Sequence, residues 1–136
     1  MSERNIIVGK HYYANLYGID KEKGEDEAEL RRVVEEAAKL SNMHLIEVKS
    51  WTFKGDKGGV SVIALVDESH IVVHTWPGYN YATVDVYTCG EHSDPLTGIK
   101  HIIEFLDPED YNVWYAERSQ DKNSNHVREV EVLEKG

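Results

Sequence analysis

Hydrophobic and polar positions alternate with two different periods along the 136 residues, and each change of period marks an element. Ile6-Ile7-Val8 leads through Gly9-Lys10-His11 into Tyr12-Tyr13-Ala14-Asn15-Leu16-Tyr17, a run of β-branched and aromatic types closed by Gly18, which predicts a strand. Glu25-Asp26-Glu27 then places negative charge where a helix N-terminus attracts it. Leu30, Val33, Val34 and Ala37 follow at helical spacing, opposite Arg31, Arg32, Glu35 and Glu36, so an amphipathic helix should run to about Ser41-Asn42. Residues 43–53 return to the strand pattern, and Lys54-Gly55-Asp56-Lys57-Gly58-Gly59 is a polar reversal.

Val60, Val62, Ala64 and Val66 alternate with Ser61, Ile63, Leu65 and Asp67. That run is apolar on both faces and predicts a strand covered from two sides. The chain pauses at Asp67-Glu68-Ser69-His70, resumes as the strand Ile71-Val72-Val73-His74-Thr75-Trp76 and turns at Pro77-Gly78. Residues 81–88 form a further strand, with Ala82, Val84 and Val86 on one side and Thr83, Asp85 and Tyr87 on the other. Asp94-Pro95 opens a second helix carrying Ile99, Ile102, Ile103 and Leu106, and residues 111–116 make a last strand. After Arg118 the chain turns polar, so residues 1–118 should form one domain and 119–136 a mobile tail with weak later structure. Strands in series with two helices predict an α+β two-layer sandwich, an antiparallel sheet with helices on one face. There is no βαβ alternation, Gly-rich phosphate loop or paired Cys-x-x-Cys spacing.

Composition narrows the classes. A 40% hydrophobic, 29% charged chain of this length suits a single domain that needs no disulfide staples. The one cysteine, Cys89, has no intrachain partner, which suits a reducing, cytoplasmic setting. The start Met1-Ser2-Glu3-Arg4 does not read as a signal peptide, and no apolar run approaches the ~20 residues of a membrane span. A net charge of -10 argues against nucleic acid as a partner and is compatible with a cationic small molecule, although plain solubility accounts for the same number.

The candidate chemistry sits between two strongly apolar strands. Glu68-Ser69-His70 is followed by His74 and, one strand later, by Cys89. If those strands pair as neighbours, Ser69, His74 and Cys89 come together near one sheet edge, supplying a nucleophile, a base and a thiol proton donor. Each residue taken singly has a plainer reading: a turn serine, a satisfied core histidine, a small buried thiol.

Taken jointly, Glu68-Ser69-His70-Ile71-Val72-Val73-His74-Thr75-Trp76-Pro77 and Ala82-Thr83-Val84-Asp85-Val86-Tyr87-Thr88-Cys89-Gly90 resemble the two signature blocks of the prokaryotic S-adenosylmethionine decarboxylases. These are short pyruvoyl-dependent enzymes of polyamine and spermidine synthesis. Gly9-Lys10-His11 and Gly59-Val60-Ser61 match the same layout, so the resemblance covers roughly Val8 to Arg118. It implies a proenzyme that cleaves itself between Glu68 and Ser69 into chains 1–68 and 69–136, leaving a pyruvoyl group derived from Ser69 as its cofactor. Ser61 and His74 would assist that processing, and Cys89 would protonate the substrate α-carbon. Val8, Phe53 and Glu68 would bind substrate, with Trp51 on the same strand face as Phe53. The resemblance also implies a homodimer of cleaved protomers.

Gly78 stands where these enzymes commonly carry a ribose-binding glutamate after Trp-Pro. S-adenosylmethionine is taken here as the first substrate, with arginine, used by archaeal enzymes on the same scaffold, as the alternative. Two other classes remain open: a non-cleaving partner-subunit paralogue, and a metal-binding domain built on His70, His74 and His92.

Overall fold

The computed structural model describes residues 6–133, and the α+β sandwich is present. Strands β1 (Val8–Tyr17), β2 (Leu45–Phe53), β3 (Gly59–Val66), β4 (Ser69–Trp76), β5 (Tyr81–Thr88), β6 (Asp110–Ser119) and β7 (His126–Val130) form one sheet in the order β2-β3-β4-β5-β1-β6-β7. Every pairing is antiparallel. Helices α1 (Lys21–Glu25), α2 (Glu27–Leu40) and α3 (Pro95–Leu106) complete the second layer.

Local chemistry explains where the helices start. The Asp26 carboxylate accepts from the Glu29 amide at 3.1 Å and opens α2, and Asp94 accepts from Thr97 N–H at 3.3 Å and opens α3 with Pro95 in its first turn. The helix predicted from Glu25-Asp26-Glu27 is α2, opened by Asp26; the short α1, which ends at Glu25, lies before it and has no counterpart in the sequence pattern. Leu30, Val33, Val34 and Ala37 of α2 join Ile99, Ile102, Ile103 and Leu106 of α3 over Ala14, Val62, Ala64, Ile71, Val73 and Val84 of the sheet. The two helices cross closely at Gly98, where an added Cβ would lie 2.1 Å from Ser41 Oγ.

The expectation that β3 is covered from both sides does not hold within this chain. Val60, Val62, Ala64 and Val66 are buried under the helices, but on the other face Leu65 is 44% exposed and, on β2, Trp51 is 45% exposed. That face carries Ile63, Val72, Trp76, Tyr81, Tyr13 and Trp114 with no helix over it, since alternate residues of each strand must point away from the helical layer. Residues 134–136 lie outside the described residues, but over its described part, residues 119–133, the segment expected as a mobile tail carries structure. A 3₁₀ turn at Lys122–Ser124 reverses it, β7 pairs with β6, Val132 is buried, and the Leu133 amide donates to the Tyr111 hydroxyl at 3.2 Å. No helix among the described residues is long and apolar enough to cross a membrane.

Candidate active site

The β3–β4 connection is a tight hairpin in which Val66 faces Ser69, leaving Asp67 and Glu68 to make the turn. Glu68 takes a left-handed backbone, φ 53°, which strains a residue bearing a Cβ by about 1 kcal/mol. Its carbonyl, the one joined to the Ser69 nitrogen, accepts from the Cys89 thiol at 3.3 Å. Ser69 lies opposite Thr88 and donates to its Oγ1 at 2.8 Å. Burial pushes the Cys89 thiol up from its ordinary pKa, and the Glu68 charge and hydrogen bond add to this, so at neutral pH the sulfur keeps a proton to give. Val8 belongs to the same end of the sheet, two positions beyond the Lys10–Thr88 pair.

The other residues gather at the opposite end. Ser61 Oγ and His74 Nδ1 are 2.8 Å apart across β3 and β4. Phe53 closes β2 against Gly59, and Gly78 follows shortly after His74 around Pro77. His74 lies five positions beyond Ser69 on one extended strand, roughly 16 Å, and an odd separation puts them on opposite faces. The sequence expectation that Ser69, His74 and Cys89 converge is therefore corrected. Ser69, Glu68 and Cys89 meet; His74 pairs instead with Ser61. The paired strands that the expectation relied on are present, but pairing does not shorten a strand.

The metal reading finds no support in the geometry. His70 stacks on Tyr87 at 5.6 Å, His74 lies four residues further along, roughly 13 Å, and no group of three His, Cys, Asp or Glu side chains among the described residues is placed to hold an ion. His70 belongs to a separate cluster on the bare face, where His11 Nε2 meets Asp85 Oδ2 at 2.8 Å and Arg118 lies over Tyr87. Burial, helped by His11 and Arg118, holds His70 below its usual pKa, so it is neutral at pH 7.

Two residues at the junction escaped the sequence reading. Thr88 Oγ1 lies 2.8 Å from Ser93 Oγ, and Ser93 donates to Gly90 O at 2.7 Å. The register fixing Thr88 opposite Ser69 was available once β4 and β5 were paired; the return of Ser93 through the loop was not.

The family model for S-adenosylmethionine decarboxylase matches residues 10–119, which include the hairpin and both groups of candidate residues except Val8. The chain belongs to the S-adenosylmethionine decarboxylase family. The resemblance carried by the two sequence blocks thus holds, over nearly the span they suggested. Within the family, the "Arginine decarboxylase proenzyme" of Pyrobaculum arsenaticum is 60% identical over 83% of this chain and 86% of its own length. That of Ignicoccus hospitalis is 60% identical over 85% and 81% respectively. A crystal structure of the adenosylmethionine decarboxylase from Aquifex aeolicus superposes with a TM-score of 0.70 at 32% identity, covering 96% of both chains. A Trypanosoma brucei AdoMetDC structure, at 15% identity and TM-score 0.54 over 79% of this chain and 45% of its own, shares the fold. The activity common to these relatives' names is decarboxylation. The relatives near 60% identity carry the arginine name, so the findings favour the alternative substrate over the one placed first.

Proposed function

We propose that this chain is a self-cleaving, pyruvoyl-dependent arginine decarboxylase. The observation that carries the reading is the hairpin itself: a strained Glu68 whose carbonyl is polarised by a thiol and flanked by the Ser69 hydroxyl. Attack of Ser69 Oγ on that carbonyl carbon forms an ester as the Glu68–Ser69 C–N bond breaks, and the hydroxyl proton ends on the freed nitrogen. Loss of the Ser69 α-proton then expels Glu68 as a carboxylate, and water converts the unsaturated residue to a ketone with release of ammonia. The ketone at position 69 supplies an electron sink for an α-amino acid losing carbon dioxide. Cys89, holding its proton at neutral pH, is placed to return it to the substrate carbon.

Arginine is preferred on two grounds. The names of the relatives near 60% identity support it, and Gly78 offers no carboxylate to ribose hydroxyls, a loss of about 1.5–3 kcal/mol for an adenosyl substrate. The adenosyl reading retains the family's description and the 32% identical Aquifex structure. A net charge of -10 favours either cation, and a cytoplasmic setting would keep Cys89 reduced.

The site needs a second copy. Ser61, His74 and Phe53 lie at one end of the sheet and Val8, Ser69 and Cys89 at the other, too far apart to serve one substrate. Two chains related by a two-fold axis, packed through their bare sheet faces, would bring the His74 end of one against the Ser69 end of its partner and cover Trp51 and Leu65. The metal alternative lacks a clustered ligand set. The non-cleaving paralogue predicts one intact chain.

Mass spectrometry of the purified protein should show two fragments divided between Glu68 and Ser69, the second beginning with a pyruvoyl group. Carboxyl-labelled arginine should release labelled carbon dioxide and S-adenosylmethionine should not. The opposite preference would return the adenosyl reading, and a chain that stays whole would end both.

A further inference from the structure

The hydroxyls beneath the hairpin form a chain whose direction is fixed by counting protons. A hydroxyl has one proton and two lone pairs. Ser93 donates to Gly90 O at 2.7 Å, so across its 2.8 Å contact with Thr88 it must accept. Thr88 therefore spends its only proton on Ser93, and its lone pairs receive two donors: Gly90 N–H at 3.1 Å and Ser69 O–H at 2.8 Å. Thr88 is 1% exposed and Ser93 is buried, so water does not compete for these positions. The Ser69 proton is thus held toward Thr88, and the Ser69 lone pairs are left for the Glu68 carbonyl carbon.

Resting on the self-cleavage reading, we propose that Thr88 is a catalytic residue of processing that orients and polarises the Ser69 nucleophile, and that Ser93 is the positioning residue that fixes Thr88 in its accepting state. The chain ends on a carbonyl, which takes up no proton at neutral pH. Its contribution is therefore directional: Oγ forms its bond to the carbonyl carbon, the C–N bond breaks, and the proton that leaves Oγ is the one the nitrogen gains. His74 and Ser61 are too distant in the same chain to perform this task.

Cell-free synthesis followed by a timed denaturing gel tests it, with hydroxylamine added to a parallel series to cut any accumulated ester. Thr88→Val should slow cleavage about tenfold or more, as expected for a lost hydrogen bond to the reacting oxygen, and should accumulate no hydroxylamine-sensitive ester. Thr88→Ser should recover most of the rate, and Ser93→Ala should slow cleavage without changing the products. Thermal melts in a Ser69→Ala background separate this from unfolding: Ser93→Ala should melt within a few degrees of its parent. Should Thr88→Val destroy the fold, the comparison of Ser93→Ala with Thr88→Ser decides. Unchanged cleavage in folded Thr88→Val or Ser93→Ala, or an ester that accumulates in them, overturns the proposal while the decarboxylase reading stands. An unsubstituted chain that never cleaves removes both.

Discussion

Cys89 is held as a thiol by its surroundings, and this has a measurable sign. Its pKa is raised, so at any given pH the fraction present as thiolate is smaller than for a free cysteine, whose pKa is about 8.5. Alkylation of the uncleaved Ser69→Ala chain by iodoacetamide should be slower at pH 7 than that of a small free thiol and should climb only above the ordinary thiol range. Reaction at the free-thiol rate at pH 7 would show an activated nucleophile instead of a proton donor. At this scale the sequence was informative about identity and poor about position. The blocks around Ser69 and Cys89 name residues that the structure brings together at the hairpin, and the strand pattern pairs their elements. Proximity along the chain suggests the same cluster for His74, yet its separation from Ser69 is odd, and period-two geometry alone forbids two such side chains from sharing a face. Ser93 carried no signal, because its return to Thr88 depends on a loop path that composition does not encode, whereas Thr88 follows from the register of β4 and β5.

Helix α2 meets α3 where Gly98 lies against Ser41, and the fit leaves no room for a methyl group. Gly98→Ala should cost about 2 kcal/mol by overpacking, read as a lowered denaturation midpoint. Ser41 Oγ is buried without a hydrogen-bond partner, so Ser41→Ala should be close to neutral alone and should restore part of the loss in the double variant. Additive effects would show that the two residues do not collide. Recovery should stay incomplete, since Ala37 O also lies 3.1 Å from the new Cβ. The strong periods of α2, α3 and the inner strands made those elements legible; five-residue α1 is too short to show one, and β7 lies in a polar run. There Val130 and Val132 alternate inward, but Val127 faces out, so the pattern never repeats long enough to stand above a disordered composition.

For the molecule as a whole, the two-sided hydrophobicity of β3 exceeds what its own helices account for. One chain covers one face only, and the proposed second copy would cover the other. Co-expression of Ser69→Ala with His74→Ala tests the shared site: in a mixed dimer the Ser69→Ala chain supplies His74 to a partner that retains Ser69, and fragments of the His74→Ala chain should appear. A site built within each chain would leave both uncut. Replacing Trp51 and Leu65 together by Glu should shift the protein to a monomer in sedimentation and abolish cleavage, whereas an unchanged sedimentation coefficient would move the interface elsewhere.

The strand order has one more consequence. The proposed scission at position 69 would assign β1, β2 and β3 to one product and β4 to β7 to the other, yet in the sheet β1 is wedged between β5 and β6. The pieces are plaited, each gripping the other along three ladders, so the mature protein should travel as one body through every native separation and come apart only when the whole sheet is melted.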